Sequence, residues 1–135
     1  PLEISMELRE QKAVLELKEQ VCFAGDIAWS AEALGNILKN CMEHTGQGGT
    51  IRVQASENHL YTEIQIEDNG SGIDPEDLPH LFERFYKGKN ASDSSVGIGL
   101  ALARMIVCAQ NGTLKAENRE GGGARFTIRF YKGVV

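Results

Sequence analysis

The spacing of the apolar residues changes along this chain of 135 residues, and that change is the strongest constraint on its fold. From Trp29 to Met42 the apolar side chains recur at the period of an amphipathic helix, with Asp26 as a suitable N-cap. Two later segments instead alternate apolar and polar residues, as hairpin strands do, around a turn that contains Asn58. The alternating positions are Ile51, Val53 and Ala55, and then Leu60, Thr62, Ile64 and Ile66.

The rest of the chain continues this mixture of helices and strands. A short helix is predicted to begin at Asp74-Pro75, and a long one from Gly97 to about Gln110, where Asn111-Gly112 stops it. The pattern thus predicts a two-layer α/β domain, with helices on one face of a mixed, mostly antiparallel sheet of about five strands. The other predicted elements are a helix from Pro1 to about Val14, a strand through Leu15, Leu17, Val21 and Phe23, a loop over residues 88–95, and strands around Leu114 and Ala116 and from Ala124 to Phe130.

The composition of the chain excludes some classes of function and says less about the fold. A net charge of −5 and a sequence pI of about 5.2 argue against a basic surface for nucleic acid. No apolar run reaches the ~18–20 residues that span a bilayer. The abrupt start suggests a fragment of a longer protein, with residues 1–135 as a single domain. Three widely separated cysteines, Cys22, Cys41 and Cys108, predict core thiols in a reducing compartment.

Two asparagines four residues apart, Asn36 and Asn40, share one face of the first long helix, beside its apolar stripe. An amide oxygen is a hard, neutral ligand suited to Mg²⁺, which also keeps water and phosphate oxygens in its shell. Glu32 lies one turn earlier on a similar face. The pair is therefore a candidate metal site, although a polar helix rim has the same pattern.

The segment Asp68-Asn69-Gly70-Ser71-Gly72 follows directly on a predicted strand. It is compatible with a hairpin turn, but it also suits a nucleobase pocket. An ionised aspartate accepts a hydrogen bond from the exocyclic amine of adenine, whereas guanine presents a carbonyl there. Leaving such a buried group unpaired costs ~1–3 kcal/mol. Gly70 and Gly72 would let the backbone approach the ring closely.

Three further segments each suit a nucleotide and an ordinary structural element equally well. Gly97 and Gly99 stand at a helix start, where N–H groups at the positive end suit a phosphate. Residues Leu81–Lys87 interleave phenylalanines with Arg84 and Lys87, which is also typical of an amphipathic helix end. Gly121–Gly123 precede the last strand and are also typical of a hairpin turn.

The order of these motifs is more specific than any one of them. An Asn-x-x-x-Asn pair is followed by DNGSGI, LFERFYKG, GIGLALA and a glycine turn before the last strand. This order resembles the catalytic domain of sensor histidine kinases, within the ATPase superfamily that includes gyrase and the Hsp90 chaperones. The resemblance covers about Trp29 to Phe130, and it implies a Bergerat-type ATP-binding fold with ATP and Mg²⁺ as ligands.

The resemblance also implies roles for individual residues. Asn40 is the implied Mg²⁺ ligand, Asn36 its neighbour on the phosphate side, and Asp68 the adenine-binding carboxylate. Lys87 resembles the cation of the ATP lid that reaches a phosphate. Further implied nucleotide contacts are Gly70, Gly72, Ile73, Phe85, Gly97, Ile98, Gly99, Leu100 and Phe126, and the implied lid hinge is Phe82, Arg84 and Phe85.

The implied reaction moves the γ-phosphoryl group of Mg·ATP to a histidine on a separate dimerisation domain, and then to the receiver domain of a response regulator. Glu32 or Glu43 is a candidate to help deprotonate that histidine. The implied setting is the cytoplasmic part of a membrane-bound bacterial kinase. The acceptor is expected outside this chain, because its own histidines, His44, His59 and His80, lack the context of an acceptor helix.

Three positions depart from the family pattern: Glu43 stands for a basic residue, Ser95 for a glycine and Ala124 for a threonine. They leave open a degenerate module that holds ATP and signals through lid conformation without phosphoryl transfer. A gyrase- or chaperone-type ATPase fits less well, because such enzymes place an acidic base where Asn36 stands.

Overall fold

The computed structural model describes residues 12–17, 26–86 and 98–133. Within them, five strands form one sheet in the order β1-β2-β3-β5-β4, with β1 parallel to β2 and the other neighbours antiparallel. Two helices cover one face, so the predicted two-layer α/β fold with a mixed sheet is confirmed. The elements are β1 (Lys12–Leu17), α1 (Ile27–His44), β2 (Thr50–Glu57), β3 (Tyr61–Asp68), α2 (Gly99–Ala109), β4 (Gly112–Asn118) and β5 (Ala124–Tyr131).

Local chemistry sets the ends of α1. Asp26 is the N-cap, and its Oδ1 accepts a hydrogen bond of 2.9 Å from the Trp29 N–H. At the other end the N–H and the hydroxyl of Thr45 both donate to the carbonyl oxygen of Cys41, at 2.9 and 2.6 Å. The apolar stripe between these ends is buried, with Ala33, Ile37 and Cys41 at most 1% exposed. The predicted helix and its cap are confirmed.

The end of α2 is also predicted by the sequence. Asn111 adopts a left-handed conformation with φ of 60°, which asparagine tolerates better than most residues, and Gly112 then begins β4. The helix is therefore terminated where Asn111-Gly112 predicts. It begins at Gly99, and Gly97 lies outside the described residues.

The core lies between the helices and the inner face of the sheet. In the antiparallel register of β3 and β5, Ile64 faces Ile128 and Ile66 faces Phe126, and these side chains are buried. Fully burying a side chain such as Phe126 stabilises the fold by about 1.5–3 kcal/mol. Because side chains alternate along a strand, Asp68 lies on the same inner face as Ile66. The last residue of β3 thus brings a carboxylate to the edge of the apolar core.

The predicted helix through Val14 is wrong over Lys12–Val14, which belong to β1. That strand pairs in parallel with β2, for example Val14 with Arg52 and Leu15 with Val53. The partner strand lies far away in sequence, so a local pattern could not reveal the pairing. The strand predicted at Leu15 and Leu17 is confirmed, whereas the positions Val21 and Phe23 and the rest of the predicted first helix lie outside the described residues.

The short helix predicted at Asp74-Pro75 is also wrong. Asp74 instead forms a turn in which its Oδ1 accepts from the Glu76 N–H at 2.9 Å, and a 3₁₀ helix follows at Leu78–His80. Pro79 explains the difference, because it has no N–H to donate to the fourth residue before it in an α-helix.

Candidate functional site

Asp68 is the most deeply buried candidate residue with a charge, at 2% exposure. Its Oδ1 accepts hydrogen bonds from the backbone N–H groups of Gly70 at 2.9 Å and Ala124 at 3.2 Å. Its own carbonyl oxygen accepts from Arg119 Nη1 at 2.9 Å. A carboxylate has about four lone-pair sites. The carboxylate is therefore held firmly through one oxygen, with acceptor capacity to spare.

Arg119 connects this strand end to the turn before β5. Its Nε lies 2.7 Å from Glu67 Oε2, and the Glu67 side chain is 9% exposed. Arg125 approaches the same carboxylate oxygen at 3.6 Å, from the strand position directly opposite Glu67. These contacts hold the Gly121–Gly123 turn beside Asp68. The sequence pattern did not mark Arg119 or Glu67, because their partners lie on another strand.

The glycines of the site are packed tightly against protein atoms. A Cβ atom on Gly70 would lie 2.4 Å from the His44 carbonyl oxygen. One on Gly123 would lie 1.9 Å from the Asp68 carbonyl oxygen. Gly72 has φ of +81°, and its Cβ would lie 2.8 Å from Asn118 Oδ1. The packing of the fold alone thus requires glycine at Gly70 and Gly72, independently of any approach of the backbone to a base.

Ile73, a predicted wall of the pocket, is held by the side chain of Asn118. The amide oxygen of Asn118 accepts from the Ile73 N–H at 2.7 Å, and its Nδ2 donates to the Ile73 carbonyl oxygen at 2.8 Å. Ile73 packs against the core. Asn118 was not predicted, and only its place at a strand end before a turn could have drawn attention to it.

The asparagine pair lies on α1 and is half-buried. A Cβ atom on Gly99 would lie 3.8 Å from Asn36 Cγ, so the first turn of α2 lies against Asn36. Ile98 is the N-cap of α2, and its side chain makes no hydrogen bond to the N–H groups of the first turn. Backbone N–H groups at a helix start that no side chain caps suit an anion. Leu100 packs on the core and Ile98 is 40% exposed. The structure thus joins the asparagine face to the predicted phosphate end.

Cys41, the residue after Asn40, lies on α1 near Asp68. Its side chain is fully buried. Burial first, and then the nearby negative charge of Asp68, raise the pKa of the thiol well above its ordinary value. The sequence pattern marked Cys41 only as a core thiol.

The aromatic segment after the 3₁₀ helix divides between core and surface. The ring of Phe82 meets that of Phe126 edge to face with centroids 6.4 Å apart, and the Arg104 guanidinium lies 5.6 Å from the Phe82 centroid. Phe126 is a core residue at 1% exposure. Phe85 is 65% exposed and has φ of 65°, which is strained for a bulky residue.

The remaining predicted residues are either exposed or outside the described part of the chain. Glu32 is exposed, one turn before Asn36, while Glu43 is half-buried near the end of α1. Lys87, Gly97 and Ser95 lie outside the described residues. Within 26–86 and 98–133 there is no cluster of three His, Cys, Asp or Glu side chains arranged to hold a metal. Neither described helix is long and apolar enough to cross a membrane.

The described site thus combines a buried carboxylate at a strand end with an asparagine face that lies against the start of α2. Residues 25–133 match the family described as histidine kinase-, DNA gyrase B-, and HSP90-like ATPase. The chain belongs to this ATPase family.

Its relatives place it beside the sensor histidine kinases, as the motif order predicts. It is 38% identical over 117 residues to the sensor histidine kinase YvrG and 34% identical over 132 residues to YclK, both of Bacillus subtilis. These matches cover 85% and 95% of this chain but only 20% and 28% of the two relatives. The chain thus spans less than a third of the length of either relative.

The same fold is present in solved structures. The mycobacterial sensor histidine kinase MprB superposes with a TM-score of 0.84 at 25% identity, covering 96% of this chain and 90% of that one. The catalytic domain of the histidine kinase ThkA superposes with a TM-score of 0.85 at 22% identity, covering 97% and 85%, which supports the fold alone.

Proposed function

We propose that this chain is the ATP-binding catalytic domain of a two-component sensor histidine kinase. It transfers the γ-phosphoryl group of Mg·ATP to a histidine on a separate dimerisation domain of its own parent, for relay to a response regulator. The cytoplasmic side of a membrane-anchored parent is the proposed setting. The buried, partly satisfied carboxylate of Asp68 is the observation that carries this proposal.

Asp68 selects the base in this proposal. The exocyclic amine of adenine donates to the carboxylate, whose other oxygen is already fixed by two N–H groups. Guanine would set a carbonyl against the same carboxylate, and two buried acceptors repel each other. Gly70, Gly72, Ile73 and Phe126 are the proposed walls of the base site.

Asn40 and the start of α2 serve the phosphates in this proposal. The side-chain oxygen of Asn40 is a suitable ligand for Mg²⁺, with water and phosphate oxygens completing the shell. The metal, when bound, neutralises developing charge on the phosphates. Asn36 faces the phosphate end, since it lies against Gly99. The other proposed contacts with the nucleotide are Phe85, Lys87, Gly97, Ile98 and Leu100.

The chemical step needs a partner domain. An imidazole nitrogen attacks the γ-phosphorus, so that a P–N bond forms and the bond to the ADP oxygen breaks, and the imidazole gives up its proton. Glu32 is exposed on the asparagine face and is the proposed acceptor of that proton. The protein contributes mainly positioning and charge neutralisation.

Two measurements test the proposal in sequence. Calorimetry with ATP, ADP and GTP, with and without Mg²⁺, should show binding of the adenine nucleotides and at least about tenfold weaker binding of GTP. Equal affinity for GTP would overturn the adenine assignment of Asp68. Radiolabelled ATP with this chain and a separately supplied dimerisation domain of the parent should then give slow, concentration-dependent label on that domain only. ATP binding without label on either piece would favour the degenerate ATP-binding module.

A further inference from the structure

Strand β4 is the last strand in the order of the sheet, and its charges are arranged symmetrically about Ala116. Within the described residues β4 pairs with β5 only, so its other side is an edge of the sheet. Such an edge is a template for pairing with another strand. Lys115 and Glu117 stand on either side of Ala116, and both are exposed on the outer face of the sheet, which is the face opposite to the helices.

The register of the sheet shows which charges on the outer face of β3, β5 and β4 are already matched. Arg125 lies opposite both Glu67 and Glu117, with its Nη2 3.6 Å from Glu67 Oε2 and its Nη1 3.2 Å from Glu117 Oε1. Arg129 lies opposite Glu63, with its Nε 2.8 Å from Glu63 Oε2. Each carboxylate on the outer face of these three strands therefore already contacts a guanidinium group.

Lys115 is not matched in this way. It lies opposite Thr127, which in turn lies opposite Gln65, so its row across the three strands holds no carboxylate. The same three side chains help to line a polar cleft of about 280 Å³, and Lys115 forms no ion pair with the described carboxylates. The net charge of the chain is −5, so a general excess of basic residues does not explain the unmatched cation. The ammonium group at this edge thus lacks an anion from the described part of its own chain.

Two copies of β4 can match each other's charges in one register. If they pair antiparallel about a two-fold axis at Ala116, Lys115 of each copy lies opposite Glu117 of the other, because both positions are one residue from the axis. Directly opposite residues point to the same face with Cβ atoms about 4.5–5.5 Å apart, within reach of an ion pair. A register centred on Lys115 would instead set the two lysines against each other. The charges therefore favour the register centred on Ala116.

We propose that the edge of β4 is a self-association surface, at which a second copy of this chain adds its own β4 in antiparallel orientation and the two sheets become one. Two symmetric ion pairs between Lys115 and Glu117 set the register. Glu117 can keep its contact with Arg125, because a carboxylate has about four lone-pair sites. Exposed ion pairs stabilise only weakly, so the association is weak and decreases as salt is added. This surface does not depend on the proposed adenine site.

Sedimentation equilibrium of the full chain at low salt tests the proposal, and we expect dimers at protein concentrations of about 0.1–1 mM. Lys115→Glu and Glu117→Lys each turn both ion pairs into like-charge pairs, so each variant should dimerise at least about tenfold more weakly. A mixture of the two variants restores both opposite-charge pairs and should associate about as tightly as the wild type. Arg52→Glu, the same charge reversal on the outer face of β2, should leave the dimer unchanged.

Several results would overturn the proposal. The wild type could remain monomeric up to about 1 mM. Arg52→Glu could weaken the dimer as much as Lys115→Glu, which would show an effect of net charge alone. The mixture could fail to associate although circular dichroism shows that both variants are folded. Hydrogen exchange locates the interface: the β4 amides should exchange more slowly at high protein concentration, and protection confined to another element would place the interface elsewhere.

Discussion

Alanine at Gly123 probes how closely the last turn packs on the candidate base site. A Cβ atom there would lie 1.9 Å from the Asp68 carbonyl oxygen, and the backbone has φ of +89°. Gly121 has the same φ of +89°, but no heavy atom lies within 4 Å of its Cβ position. The two glycines therefore separate the strain of a left-handed backbone from a steric clash with Asp68.

The expected losses follow from these two contributions. Gly121→Ala should lower the free energy of unfolding by about 1–2 kcal/mol, the usual cost of a left-handed conformation for an L-residue. Gly123→Ala has the same strain, and it must also open the contact from 1.9 Å to at least 3.0 Å, the closest that real Cβ atoms approach. Overpacking of this kind adds about 1–3 kcal/mol, for a total of about 2–5 kcal/mol.

Urea unfolding followed by circular dichroism measures both losses. ATP titration at a temperature where both variants are folded adds a second readout, because the clash displaces the backbone that carries Asp68. Affinity should fall about tenfold in Gly123→Ala and stay near wild type in Gly121→Ala. Equal losses of stability, with unchanged ATP affinity in both variants, would refute the close packing of this turn on Asp68.

Further outcomes are expected at Asp68, Asn40 and Cys41. Asp68→Asn should weaken ATP binding about ten- to hundredfold by calorimetry, because the amide lacks the charge of the carboxylate, while Asp77→Asn, at another buried aspartate, should bind ATP normally. Asn40→Ala should lower Mg²⁺-dependent transfer in the intact kinase about a hundredfold yet keep much of the nucleotide affinity, and wild-type transfer would remove Asn40 from the site. Cys41 should resist N-ethylmaleimide in the folded chain while Cys108 reacts, as mass spectrometry of peptides will show. Because the pKa of Cys41 is raised in the folded chain, the unfolded thiol loses its proton first as pH rises. The free energy of unfolding should therefore fall above about pH 9, and it should fall less steeply in Cys41→Ser.

Features that depend on neighbouring residues were predictable from the sequence. The cap at Asp26 and the stop at Asn111 follow from side chains acting on their own backbone. The alternation in β2 and β3 follows from burial on one face of a sheet. The placement of Asp68 at the end of a strand was correct for the same reason.

Features that depend on distant partners were not predictable. The pairing of β1 with β2 converts Lys12–Val14 into a strand, whatever their local helical pattern. The Ala124 N–H reaches Asp68 across 56 positions of sequence, and the Arg119 guanidinium reaches its carbonyl oxygen across 51. The sequence therefore placed the candidate carboxylate at the end of a strand, but it did not reveal the distant donors that hold it.

Helix α1 has a consequence for how the two ends of a nucleotide would be sensed. Asn36 lies against the start of α2, and the carbonyl oxygen of His44, eight residues further on, lies against Gly70 beside Asp68, which is about 12 Å along a helix axis. A helix of this length is stiff on that scale, so it fixes the distance between the two contacts. Adenosine and pyrophosphate, supplied as separate molecules, should then each bind more tightly when the other is present, because the first to bind has already ordered helix α1.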